Sequence, residues 1–213
     1  MKTTLLLIRH GESAANLEKF FAGQTDVPLT ERGHRQAELT AEYLKDRHID
    51  AFFASPLRRA FDTGLAAARP HGKTVTAVQD LREISGGLWE RMPFGEITAR
   101  YPEDAAVWNE NIGLSRPTGG ESPEEVQIRV CAALEKLAKE NPGRVLCAAS
   151  HGMAIRVFCA RVLGYDMAHL KELPFPTNAS VTTVEYENGA FSMVHYSEDD
   201  HMGELKTALP KTI

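Results

Sequence analysis

Two histidines stand at the ends of apolar runs, and each is followed by glycine. Arg9-His10-Gly11 closes the run at residues 3–8, and Ser150-His151-Gly152 closes the run at 144–149. A third run, Ala51 to Ala54, leads into Ser55-Pro56-Leu57-Arg58-Arg59. Each group alone has an ordinary structural explanation, because an arginine or histidine at a strand end is most often a solvated turn residue. The set as a whole suits a dianionic phosphoryl group. Guanidinium groups and helix N-terminal N–H groups bind such an oxyanion. One neutral imidazole can attack phosphorus, and a second can donate to the equatorial oxygens of the transition state. Neighbouring arginines would keep the imidazoles neutral. A leaving alkoxide needs a proton, so a carboxylic acid belongs nearby. Arg58 and Arg59 at a helix start oppose the helix dipole, and a bound anion would remove that conflict.

The elements that must carry these residues alternate. After the strand at 3–8, residues 31–47 predict a helix capped by Thr30, with Ala37, Tyr43 and Leu44 on its apolar side. The strand 51–54 is followed by Ser55 as cap and Pro56 as first-turn residue of a helix reaching about Ala68. KTVTAV at 73–78 predicts a third strand. Ser122-Pro123-Glu124-Glu125 is a capping box in front of a long helix, and a buried strand at 144–149 precedes a helix at 152–163. ASVTTVEYENGAFSMVHY predicts a hairpin turning at Asn188-Gly189. This alternation predicts an α/β fold, a three-layer α/β/α sandwich with a mostly parallel central sheet. Ligands bind such sheets outside the carboxyl ends of the strands, so the three junctions should converge on one edge.

Composition narrows the alternatives. The 213 residues suit one domain, 1–213, with no repeat or linker to divide it. Net charge is −5 and mean hydropathy −0.29, which leaves no electrostatic footprint for nucleic acid or anionic lipid. No apolar run is long enough to span a membrane, and the start of the chain does not read as a signal peptide. Cys131, Cys147 and Cys159 are odd in number, lie in apolar stretches and show no CxxC spacing. They read as small core residues in a reducing compartment, and the chain as cytoplasmic. No HExxH or comparable spacing points to a metal.

At this point the residues carry a resemblance. The chain is similar to the histidine phosphatase superfamily, which includes cofactor-dependent phosphoglycerate mutases and broad-specificity phosphatases, and the likeness runs from about Thr3 to Tyr196. The RHG signature matches Arg9-His10-Gly11, with Asn16 at the phosphate-contacting asparagine. SPLxRAxxT matches residues 55–63 and assigns the phosphate-binding arginine to Arg59. LREISGGLWE at 81–90 assigns the proton donor to Glu83, and the second histidine matches His151 in SHG. PTGGES at 117–122, with the helix after it, also fits.

The resemblance implies a phosphoglycerate mutase-like fold and a chemistry that needs neither metal nor cofactor. His10 would attack phosphorus, and Arg9, Asn16, Arg59 and His151 would hold the phosphoryl oxygens. Glu83 would protonate the leaving oxygen and then activate water. Gly11, Gln24, Gly152 and Arg91 complete the expected substrate-binding set. Ala15 stands where many members have Trp, and Arg91 where many have Gly. Arg91 is either a second anion contact or a solvated loop residue. The compact stretch from Glu83 to Gly119 lacks the longer basic insertion of the mutases, and the residues after His201 are too few for an extended lid. Hydrolysis of a small phosphorylated metabolite is therefore favoured over mutase chemistry. The presence of His10, Glu83 and His151 together argues against a non-catalytic phosphate-binding role, which would need the arginines but not a nucleophile and an acid. The natural substrate and the oligomeric state are open, a homodimer included.

Overall fold

The computed structural model describes residues 1–208; the reading of 1–213 as one domain also takes in 209–213, which lie outside the described residues. Leu5, Leu6, Leu7 and Ile8 show why the first strand is a continuous apolar run. In β1 (Thr3–Arg9) Leu5 and Leu7 enter one buried cluster while Leu6 and Ile8 enter another. Side chains alternate across a strand, so a strand apolar at every position must be covered on both faces. Helices α2 (Glu31–Leu44) and α3 (Arg58–Ala68) contribute Leu44, Ala67 and Ala68 to the smaller cluster. Helices α6 (Pro123–Glu140) and α7 (Gly152–Leu163) contribute Val130, Leu134, Val157 and Phe158 to the larger one.

The sheet holds six strands in the order β3-β2-β4-β1-β5-β6, where β2 is Ala51–Ala54, β3 Val75–Ala77, β4 Val145–Ser150, β5 Val181–Glu187 and β6 Ala190–Glu198. The pairs β1/β4, β2/β4 and β2/β3 are parallel, whereas β1/β5 and β5/β6 are antiparallel. The sheet is therefore mixed and mostly parallel, as expected. The hairpin turns at Asn188 and Gly189, both left-handed (φ 53 and 84), which is the geometry of a tight primed turn. No described helix is long and apolar enough to cross a membrane. Cys147 and Cys159 are buried and Cys131 is partly so.

Two expected boundaries move. Helix α2 ends at Leu44 rather than Arg47, because the Arg47 N–H returns to the Leu44 carbonyl at 2.9 Å and tightens the last turn. Ser55 and Pro56 do not open α3, which begins at Arg58 with Leu57 as its N-cap. The cap comes instead from another segment: Asp26 Oδ1 accepts the Arg58 N–H at 2.7 Å. That carboxylate also answers the dipole conflict read from Arg58. Between Trp89 and Pro117 the chain forms α4 (Phe94–Arg100) and α5 (Pro102–Glu110), for which the sequence reading had no expectation; α1 (Ala14–Glu18) is a single turn after the first junction.

Candidate active site

The strand order puts β4 between β2 and β1, so the carboxyl ends of three adjacent parallel strands share one edge. The parallel ladder continues past each strand: the His10 N–H donates to the Ser150 carbonyl (3.0 Å) and the Ser55 N–H to the Ala149 carbonyl (2.9 Å). The rings of His10 and His151 lie 5.2 Å apart, centroid to centroid. Both are almost fully buried, 4% and 0% exposed, which separates them from the chain's surface histidines. The chain after β3 reaches the same edge, because the Ser150 hydroxyl donates to the Leu81 carbonyl at 2.7 Å, two residues before Glu83.

A single hydrogen bond determines how His10 presents itself. Its Nδ1 is 2.7 Å from the Gly11 carbonyl, which can only accept. Nδ1 therefore carries the proton, and Nε2 keeps its lone pair. Burial, then the charges of Arg59 and Arg9, hold this imidazole well below the ordinary histidine range, so it is neutral near pH 7. His151 is held low in the same way, by burial first and then by Arg59, His10, Arg129 and Arg9.

The arginines are anchored by carbonyls rather than carboxylates. Arg59, 1% exposed, donates to the Thr25 carbonyl (2.8 Å) and the Gly23 carbonyl (2.7 Å). Arg9 donates to the Pro176 carbonyl, and its Nε is buried without a partner among the described residues. Burial lowers the Arg9 guanidinium to about 10, with nearby Glu83 pulling the other way. The loop that anchors Arg59 is itself held by Glu90, whose Oε1 accepts the Gln24 N–H (2.9 Å) and whose Oε2 accepts the Thr25 hydroxyl (2.8 Å).

Glu83 sits on the N-terminus of α7. Its carboxylate accepts the N–H groups of Ile84 (2.9 Å), Met153 (3.1 Å) and Ala154 (3.3 Å), which anchors a side chain from an irregular loop to a regular element. The loop is clamped from behind by Arg129, which donates to the carbonyls of Asp80, Arg82 and Glu83 and to both oxygens of Glu121. Burial opposes the Glu121 charge, but Arg129 and the Ser85 N–H outweigh it and hold that carboxyl below its ordinary value.

The remaining expected residues divide. Asn16 uses Oδ1 to accept the Ser13 N–H (3.0 Å) and hydroxyl (3.1 Å), which leaves its NH2 as the part available to a ligand. The Gly11 N–H is taken by the Thr63 hydroxyl at 3.2 Å. What glycine supplies there is space, since a Cβ would lie 2.4 Å from the Gly33 carbonyl oxygen. Gly152 packs against Phe175 and Arg9, where a Cβ would meet them at 3.2 and 3.4 Å. The Gln24 amide faces the Glu83 carbonyl (3.1 Å) and Glu121 (3.3 Å), a bracing position. Arg91 is exposed and left-handed (φ 65), so a position that suits glycine here holds a long cation.

Sequence reasoning missed Ser55 as part of the site, and it missed Gly33, Gln36, Arg129 and Asn178. Asn178 donates to the His10 carbonyl at 3.0 Å, and Gln36, wholly buried, accepts the Glu12 N–H at 2.7 Å. The available signal for Gln36 was a polar residue on the apolar side of α2. Among the described residues no group of three or more His, Cys, Asp or Glu side chains is placed to hold a metal.

Comparison with known proteins gives the family of the chain. The chain is 31% identical to phosphoserine phosphatase 1 of Hydrogenobacter thermophilus, over 98% of this chain and 99% of that one. Among solved structures it is similar to Bacillus stearothermophilus YhfR (TM-score 0.90, 28% identity, covering 94% and 99% of the two chains). A mycobacterial glucosyl-3-phosphoglycerate phosphatase superposes with a TM-score of 0.85 at 27% identity, covering 93% and 100%. The family model that matches residues 5–199 is that of the histidine phosphatase superfamily, branch 1, and the chain belongs to that superfamily.

Proposed function

We propose that this protein hydrolyses small phosphomonoesters by way of a phosphohistidine on His10. The observation that carries the reading is the 2.7 Å contact from Nδ1 to the Gly11 carbonyl, which leaves the Nε2 lone pair of a neutral, arginine-flanked imidazole as the nucleophile. Nε2 forms a bond to phosphorus as the ester P–O bond breaks. Arg9, Arg59, His151 and the Asn16 NH2 hold the three equatorial oxygens, and Glu83 gives its proton to the departing alkoxide. Glu83 then takes a proton from water as that water attacks phospho-His10, releasing inorganic phosphate and restoring the acid. The similar proteins that act on phosphoserine and glucosyl-3-phosphoglycerate support a small phosphorylated metabolite as substrate. Arg91, exposed beside the loop at Phe21, is suited to a second anionic group of such a substrate. The free cysteines support a reducing, cytoplasmic setting.

The test is rapid mixing with labelled phosphomonoester and an alkaline quench. An acid-labile label should appear on wild-type protein and be absent, together with turnover, in His10→Ala. Label that persists in that variant overturns the assignment. Isomerisation of 3-phosphoglycerate that outpaces phosphate release would instead favour a mutase.

A further inference from the structure

Ser55 stands one residue past β2, and no atom of it is exposed. It does not cap α3, which starts three residues later under Asp26. Its hydroxyl oxygen accepts the Leu57 N–H at 3.3 Å and lies 2.7 Å from His151 Nε2. An oxygen that already accepts an N–H is free to send its own proton to a nearby acceptor, and Nε2 is at a short hydrogen-bond distance. At the other side of the ring, His151 Nδ1 is buried with no partner among the described residues.

We propose that Ser55 is a positioning residue: by donating its O–H to Nε2 it fixes His151 as the Nδ1–H tautomer and aims that N–H at the phosphoryl oxygens. The opposite tautomer would donate to Ser55 and present a lone pair to an oxyanion, which repels it. One hydrogen bond on each ring thus sets opposite roles. The Gly11 carbonyl takes the His10 Nδ1 proton and frees Nε2 as nucleophile, while the Ser55 hydroxyl occupies His151 Nε2 and frees Nδ1–H as donor. Burial with Arg59, His10, Arg129 and Arg9 keeps His151 neutral, so its tautomer, and not its charge, decides what it offers.

The inference rests on the phosphoryl-transfer reading of the site, but its primary test needs no turnover. Nitrogen NMR of protein labelled at histidine, with the His151 signals identified by their loss in His151→Gln, should show Nδ1 protonated and Nε2 unprotonated. Ser55→Ala should populate the Nε2–H form, and Ser55→Thr should return it to Nδ1–H. In Ser55→Ala, kcat/KM should fall and inhibition by vanadate should weaken by about the same factor, on the order of 10²-fold as for loss of one oxyanion donor. A native Nε2–H tautomer, or a Ser55→Ala protein with native tautomer and lowered activity, overturns the proposal. The native measurement decides the matter even if Ser55→Ala does not fold. Full turnover by His10→Ala would sink the phosphohistidine reading while leaving the tautomer result standing.

Discussion

Two buried neutral histidines make the folding stability of this protein depend on pH. Folding holds His10 and His151 well below the ordinary value of 6.5, chiefly by burial and then by adjacent arginines. The unfolded chain has no such restraint. Below about pH 7 it binds protons that the folded state refuses, so stability falls as pH falls; above about pH 7.5 neither state is protonated and the effect vanishes. From pH 7 to 5.5 an unfolded histidine goes from about one-quarter to about nine-tenths protonated, and the integrated loss is about 1.2 kcal/mol for each such group. For the pair the loss is about 2.5 kcal/mol, or roughly 5–10 °C in Tm for a chain of this size. The assay is urea denaturation at pH 7 and 5.5 in a buffer free of phosphate and sulfate, for wild type and for His10→Asn, His151→Asn and the double variant. Each single variant should lose about half of the pair's share of the pH dependence, about 1.2 kcal/mol, and the double variant nearly all of it. His71 and His201, lowered mainly by burial, act in the same direction, while His169, raised by Asp166, acts in the opposite one. All three are common to every protein in the series and cancel in the comparison. A double variant that loses as much stability between the two pH values as wild type would refute the reasoning.

Glu83→Gln should slow phosphorylation of His10 by alkyl phosphates roughly 10²–10⁴-fold and slow it much less with p-nitrophenyl phosphate, whose leaving group needs no proton. Single-turnover rates decide this, and equal losses for both would show that Glu83 orients or binds instead. Gly33→Ala would bring a Cβ to 2.0 Å from the Glu12 carbonyl oxygen and 3.0 Å from its N. Forcing α2 away from the His10 loop should cost about 1–3 kcal/mol in chemical denaturation and reduce kcat/KM; a variant with native stability would show that the helix shifts freely.

The readable part of this protein is what lies along the chain next to the chemistry. Arg9 ends a strand, and His10, Arg59 and His151 follow strands, whose apolar runs are themselves legible, and the alternation of strand and helix brings those strand ends to one edge. The residues that were not legible act across the fold. Ser55 reads as a helix cap because Ser-Pro before a helical stretch is a local signal, whereas its partner His151 is 96 residues away. Arg129 reads as one more cation on an amphipathic helix, yet it closes the loop of Glu83 through three carbonyls and Glu121. Helix α5 had a local signal in Pro102 followed by Glu103 and Asp104, a first-turn proline with acids at the positive end of the dipole. Its apolar and polar residues show no clear face to reinforce that start.

The way the arginines are anchored bears on how the proposed site would bind an anion. A buried guanidinium paired with a carboxylate is neutralised, and the pair offers little to a third group. Arg9 and Arg59 are instead oriented by the carbonyls of Pro176, Gly23 and Thr25, which satisfy N–H groups and fix geometry without removing the charge. Glu83, when ionised, is the carboxylate whose charge bears most on both arginines, and its oxygens are engaged by Ile84 and the first turn of α7 rather than by either guanidinium. The cluster therefore keeps positive potential at low exposure, where it acts at reduced dielectric and with little reorganisation. That potential opposes protonation of His10 and His151, so in the proposed mechanism the charges that would attract a phosphoryl group also keep its nucleophile neutral. Replacing Gly23 or Thr25 by a residue that carries a carboxylate to Arg59 would undo both effects together. Phosphate affinity would fall, and the pH below which His10 is silenced would rise.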